Sequence, residues 1–194
     1  MKPISDTISG NFISRELVKR HSVSIYSCPY IKYGSGDRNI KGYVDGMYKK
    51  IIASDKFPFF ILLNIKYSGK ADTKHAMAIA VTKNHGQYTV GLFDSNGKLG
   101  TGKVDTNIRK IIEGLAQKLN CEAFEYMDTN INTLEGPGNC DALSLWFIYS
   151  NKDSNTKADI QKKVDYLFAL TEAFNIESTT LEINKEITRL SKLK

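Results

Sequence analysis

Two stretches, His75–Thr82 and Gln87–Asp94, alternate their side chains with a period of two and flank Lys83-Asn84-His85-Gly86. No other feature constrains the fold as much, because such alternation on both sides of a short polar turn marks a β-hairpin. A two-residue turn at Asn84-His85 pairs Lys83 with Gly86. Counted down the ladder, it sets Met77 against Leu92, Ile79 against Val90 and Val81 against Tyr88 on one apolar face. Ala76, Ala78 and Ala80 meet Phe93, Gly91 and Thr89 on the other face. A slip of one residue would mix the faces. The same register puts His75 directly across from Asp94, with Cβ atoms roughly 5 Å apart, within reach of a carboxylate–imidazole hydrogen bond.

The rest of the chain organises around this hairpin. Phe57–Tyr67 carries Phe59, Phe60, Ile61, Leu62, Leu63 and Ile65 and reads as a central buried strand. Residues 1–11 are polar and expected to be frayed, a short helix is expected at Ile13–Lys19, and Tyr30–Asn39 reads as a loop. Its glycines lack the Lys of a phosphate-binding loop. Ile40, Val44, Met47, Tyr48 and Ile51 recur at helical spacing, as do Ile108, Ile111, Ile112, Leu115 and Leu119 in a helix from about Val104 to Leu119. Lys66–Lys74 and Ser95–Gly102 read as connections, and Cys121–Tyr126 as a strand. Ala142–Tyr149 is apolar on every side and predicts a buried helix. Helices at about Lys157–Phe174 and Thr180–Lys192 close the chain. The expected organisation is a single domain over 1–194, with its core at 57–150 and C-terminal helices at 156–194. The fold class is α+β, a small central mostly antiparallel sheet flanked by helices.

Charge and cysteine usage narrow the function. The 194 residues carry 27 Lys plus Arg against 21 Asp plus Glu, a net charge of +6. The basic residues are interleaved with acids, which favours a solvated basic surface over an anionic partner. No apolar run approaches the roughly 20 residues of a membrane helix, and no secretory-type segment opens the chain. Cys28, Cys121 and Cys140 are odd in number and lack metal-finger spacing, so a reducing compartment is expected and no disulfide framework.

Cys140 stands apart from the other two. It follows Gly136-Pro137-Gly138-Asn139 and opens the apolar helix. A helix N-terminus favours a thiolate, and its free N–H groups can hold an oxyanion. With an Asp to fix the tautomer of a His, the residues His75, Asp94 and Cys140 form a nucleophile, base and orienter set. The plainer reading is a cross-strand polar pair and a small packing Cys, the role expected of Cys28 and Cys121. His21 and His85 read as incidental, and Trp146 as core.

The order His, Asp, Cys resembles that of the Ulp1-like/adenain-like/YopJ-like cysteine peptidases. Three local elements carry the resemblance. A strand Phe59-Phe60-Ile61-Leu62-Leu63-Asn64-Ile65 precedes the His, Phe93-Asp94-Ser95 stands at a strand end, and Asn139-Cys140-Asp141 opens a helix. The resemblance covers about Phe57 to Tyr149 and implies a papain-like/Ulp1-like cysteine protease fold. Two positions depart from the clan's pattern. Ala76 stands where many members have Trp, and Glu135 and Leu134 stand where most have an oxyanion Gln. Asn139 and Asn132 are the substitutes considered for that donor, beside backbone N–H groups.

The resemblance implies a thiol protease that hydrolyses peptide or isopeptide bonds through a Cys140 acyl-enzyme, with His75 as base. It implies no cofactor and no metal. The expected partner is a protein substrate, with ubiquitin and ubiquitin-like modifiers the first candidates. A monomer is expected, with no membrane and no nucleic acid bound. The clan's small members, bacterial effectors and viral proteins, fit the reducing cytosol expected from the cysteines, with translocation into a host cell by a bacterial secretion system as one route. Three alternatives remain at this point: a YopJ-type acetyltransferase using acetyl-CoA, a non-enzymatic basic interaction module, and a zinc site on the same three residues.

Overall fold

The apolar run after Phe57 is a strand buried along nearly all its length, and the rest of the sheet is assembled outward from it. The computed structural model describes residues 23–28, 31–32, 37–66, 74–99, 103–126 and 139–173, and the single positions 181, 185 and 189. In chain order these form β1 (Ser24–Ser27), β2 (Ile31–Lys32), α1 (Asp37–Ile52), β3 (Phe59–Lys66), β4 (Lys74–Asn84), β5 (Gln87–Phe93), α2 (Lys103–Leu119), β6 (Ala123–Glu125), α3 (Asn139–Ser150) and α4 (Lys157–Ala173). Leu181, Lys185 and Arg189 are helical and exposed. The expectations at residues 1–11, Ile13–Lys19, Gly34-Ser35-Gly36, Asn132 and Gly136-Pro137-Gly138, and most of the helix at Thr180–Lys192, lie outside the described residues.

The sheet runs β1-β3-β4-β5-β6, with β2 also paired to β3. The long ladders β3–β4 and β4–β5 are antiparallel, as a hairpin requires. The short outer ladders are parallel, because α1 returns the chain from β2 to β3 and α2 returns it from β5 to β6. The class is α+β. Ile31–Lys32, read from sequence as loop, is a strand. Neither it nor β1 alternates, and their partner β3 lies about 35 residues along the chain, as in the pair Ser24–Phe59.

The hairpin forms, with its turn one residue later than expected. His85 and Gly86 occupy the turn with φ of 49° and 82°, and Asn84 pairs with Gln87. Both central residues of this turn type need positive φ, and glycine adopts it at no steric cost, so the turn settles on Gly86. The ladder therefore shifts by two: Ala78 faces Phe93, Ile79 faces Leu92, Ala80 faces Gly91 and Val81 faces Val90. A shift of two preserves both faces.

Each face has its own helical cover. Met77, Ile79, Val81, Val90 and Leu92 are buried with Ile61 and Leu63 beneath the apolar stripes of α1 and α2. Ala76, Ala78, Ala80 and Phe93 are buried with Phe60 and Leu62 beneath α3, which is itself covered by Ile160, Val164 and Leu167 of α4. The helix starting at Cys140 lies on the alanine face and not on the Met77 face, although the Met77 face carries the larger apolar side chains. Small side chains let a helix lie close to the sheet, and a helix apolar all round needs burial on two sides. The alanine face and α4 together supply both.

Candidate active site

The last β4–β5 pair is Ala78–Phe93, so the first residues of β4 run on past the end of β5, paired with β3 alone. Asp94 leaves the sheet at that point. It is not directly across from His75, as the expected register had it, but two residues off along the diagonal. The diagonal is still within reach. His75 Nε2 and Asp94 Oδ1 lie 2.7 Å apart. The two residues are 6% and 5% exposed, so the pair is shielded from solvent.

The turn after β5 fixes the carboxylate. The Asn96 backbone N–H donates to Asp94 Oδ1 at 2.8 Å, and the Gly97 N–H donates to the Asp94 carbonyl at 3.0 Å. Gly97 takes a φ of 84°, which glycine allows without a Cβ clash. Farther on, the Leu99 N–H donates to Glu125 Oε2 at 2.7 Å, and Arg109 Nη2 donates to the Leu99 carbonyl at 2.9 Å. The segment carrying Asp94 is thus tied to β6 and to α2. The Asn96 carboxamide also reaches the ring, with Nδ2 3.2 Å from His75 Nε2.

Cys140 arrives from the other side of the sheet. It is the second residue of α3, 7% exposed, and belongs to the core cluster of the alanine face. One turn along, Ser144 Oγ donates to the backbone carbonyl of Ala76 at 3.1 Å. Residues i and i+4 share a helix face, so a bond from Ser144 to the neighbour of His75 draws the start of α3 toward the imidazole. Burial would lower the His75 pKa, but the Asp94 hydrogen bond, the hydrogen-bonding influence of Cys140 and the charges of both push it up to about 10. These influences favour the imidazolium form of the ring. Nε2 belongs to Asp94, which leaves Nδ1 to exchange a proton with a thiol.

Burial raises the other two thiols, Cys28 to about 12 and Cys121 more modestly. All three cysteines are free. Neither of the other two is among the groups that act on His75. His85 is exposed at the hairpin tip, at the far end of β4. Of the two oxyanion candidates, Asn132 lies outside the described residues, as does the side chain of Asn139. The backbone of Asn139 and Cys140 opens α3, whose first N–H groups have no partner within the helix. Sequence reasoning missed Asn96, Glu125 and Arg109. The Asn96-Gly97 dipeptide signals a turn, but only the true register shows that Asn96 stands level with His75. Among the described residues no helix is long and apolar enough to cross a membrane.

No protein-family model matches the chain, and no curated protein matches its sequence. Solved structures are similar at low identity. The structure described as AvrA delL154 with IP6, CoA superposes with a TM-score of 0.45 at 9% identity, over 72% of this chain and 46% of that one. The ASFV pS273R protease gives 0.45 at 16% identity, over 79% and 61%. A de-sumoylating protease gives 0.44 at 14% identity, over 93% and 77%. The chain thus spans about half the length of the AvrA chain and more of the other two. All three TM-scores lie below 0.5, so these likenesses carry no argument for the site.

Proposed function

We propose that the chain is a thiol hydrolase of the Ulp1-like kind, cleaving peptide or isopeptide bonds in a protein substrate through a Cys140 acyl-enzyme. The observation that supports it most is the buried 2.7 Å contact between His75 and Asp94, with Cys140 acting on the same ring from a helix N-terminus. In this reading the Cys140 proton passes to His75 Nδ1 and the thiolate attacks the scissile carbonyl carbon. The N–H groups at the start of α3 stabilise the oxyanion, with Asn139 and Asn132 as further donors. The imidazolium then gives its proton to the leaving amine. Water, deprotonated by His75, splits the thioester and frees the thiol. Asp94 holds the ring in place and stabilises its charge throughout. Ubiquitin and ubiquitin-like modifiers are the substrates we propose. The three free thiols fit a reducing cytosol, which we propose as the working compartment, reached in a host cell through a bacterial secretion system.

The test is labelling by ubiquitin-, SUMO- and NEDD8-type electrophilic probes, with the adduct mapped by mass spectrometry. An adduct on Cys140, absent in His75→Ala, is the expected result. Acetylation of Cys140 by acetyl-CoA, with no probe adduct, would replace hydrolysis by acetyl transfer. No adduct from any donor, with the three cysteines equally reactive to iodoacetamide, would refute an enzyme at this site.

A further inference from the structure

Asn96 meets the Asp94–His75 pair twice, and the two contacts have different chemistry. Its backbone N–H donates to Asp94 Oδ1 at 2.8 Å, and its carboxamide lies 3.2 Å from His75 Nε2, the atom that Asp94 also binds. A carboxylate oxygen 2.7 Å from Nε2 requires a proton on that nitrogen, because two lone pairs at that distance repel. An amide NH₂ group facing the same N–H would set donor against donor. The two ends of a carboxamide have nearly the same shape, and its orientation follows from the bonding network. The proton-consistent orientation turns the Asn96 oxygen toward the ring. The Nε2 proton then has two acceptors, one charged and one neutral.

We propose that Asn96 is a positioning residue for His75: its carboxamide oxygen shares the Nε2 proton with Asp94 and holds the imidazolium in place against the Cys140 thiolate. This rests on the thiol-hydrolase reading for its purpose and on the hydrogen-bond geometry for its substance. The ring is half enclosed by uncharged neighbours, with Ile65 level with it on β3 and the α3 core behind Cys140. The titratable groups that act on it are Asp94, after β5, and Cys140, on α3. The ring is buried while Asn96 stands at the exposed edge of the pair, so a second acceptor there stabilises the charged ring more than it would in bulk water and less than it would in a fully enclosed site. Asn96 also governs geometry. A ring held by one acceptor pivots about that bond, whereas two acceptors fix its plane and with it the direction of Nδ1. Its backbone contact with Asp94 survives any side-chain change, so the side chain can be tested alone.

The experiment is an NMR titration of the His75 ring, its resonance identified by its loss in His75→Gln, in wild type, Asn96→Ala and Asn96→Asp. Iodoacetamide alkylation of Cys140 is followed at about pH 8 in the same proteins. In Asn96→Ala the His75 midpoint is expected to fall by about one unit, a tenfold change in proton affinity, and Cys140 alkylation to slow by a similar factor. In Asn96→Asp, which keeps an acceptor oxygen, the midpoint is expected at or above that of wild type. A structural role alone would lower the melting temperature of Asn96→Ala and leave the midpoint where it was. An unchanged or raised midpoint in Asn96→Ala overturns the proposal. If that variant fails to fold, a midpoint in Asn96→Asp below wild type overturns it equally. A wild-type Cys140 no more reactive than Cys28 and Cys121 would sink the hydrolase reading, while the midpoint comparison would still decide the role of Asn96.

Discussion

His75 shows how a single side chain draws its properties from three separate elements. Its strand places it past the end of β5, the following turn supplies Asp94 and Asn96, and α3 supplies Cys140. Groups that act together in this way lose function together. Cys140→Ala removes only the thiol from the first turn of a helix, where alanine is tolerated, so the fold is expected to survive. Turnover is expected to fall by more than about 10³-fold in Cys140→Ala and in His75→Ala, since removing either member costs nearly as much as removing both. Asp94→Asn is expected to lose less, because the amide still holds the ring in place. Steady-state rates of the three variants, with circular dichroism to confirm folding, decide the point. Full turnover in Cys140→Ala would remove the nucleophile from the mechanism. The sequence already marked His75, Asp94 and Cys140 by residue type and context. It did not mark Asn96, whose role depends on a register set by the φ values of His85 and Gly86.

At the scale of the element, the size of the side chains on the sheet decides where α3 lies. Ala76, Ala78 and Ala80 leave a shallow trough on one face, while Met77, Ile79 and Val81 crowd the other. At Gly91, in the same trough, an added Cβ would collide with the Tyr126 ring and stand 2.6 Å from Phe124, so aromatic rings already fill the space. The Phe147 ring of α3 stacks on Phe93 at 4.6 Å and meets Tyr126 at 5.5 Å. Lengthening a trough residue should therefore lift the helix that carries Cys140. Ala78→Leu is expected to destabilise by about 1–3 kcal/mol through overpacking and to slow Cys140 alkylation as well. Ile79→Val, on the opposite face, is expected to cost about 0.5–1.5 kcal/mol and leave alkylation unchanged. Denaturant midpoints and alkylation rates measured side by side separate the two effects. Equal alkylation in both variants would mean that α3 does not depend on the alanines for its position. The alanine spacing was visible in the sequence. Which helix uses it was not, because α1, α2 and α3 all offer apolar surface and the choice is made by competition among them.

For the whole molecule, the buried pair couples stability to pH. His75 is raised from its ordinary 6.5 to about 10, so between these values the folded His75 ring holds a proton that the unfolded ring has released, and it adds stability to the extent that the proton comes from solvent and not from Cys140. A raised histidine contributes stability that is fully present below the unfolded pKa and is lost as the pH climbs through the folded one. The urea midpoint of the wild-type protein is therefore expected to fall from about pH 6.5 toward pH 10. The fall should be clearly smaller in His75→Gln. Parallel curves for the two proteins would show that this ring does not carry the proton.

Periodicity is a local property, and the sequence by itself determined what periodicity governs. That covers the central strand at Phe59–Lys66, the hairpin and its two faces, the amphipathic helices, and a histidine and an aspartate at one end of the same two strands. The tertiary structure alone decided three things. It placed β1 and β2 parallel to β3, a pairing across about 35 residues that no local pattern encodes. It seated α3 on the alanines, where the helix could approach closely enough for Ser144 to bond the Ala76 carbonyl. It also shifted the hairpin by two, since a turn's position follows from which residues accept positive φ, and in that shift Asn96 came level with His75.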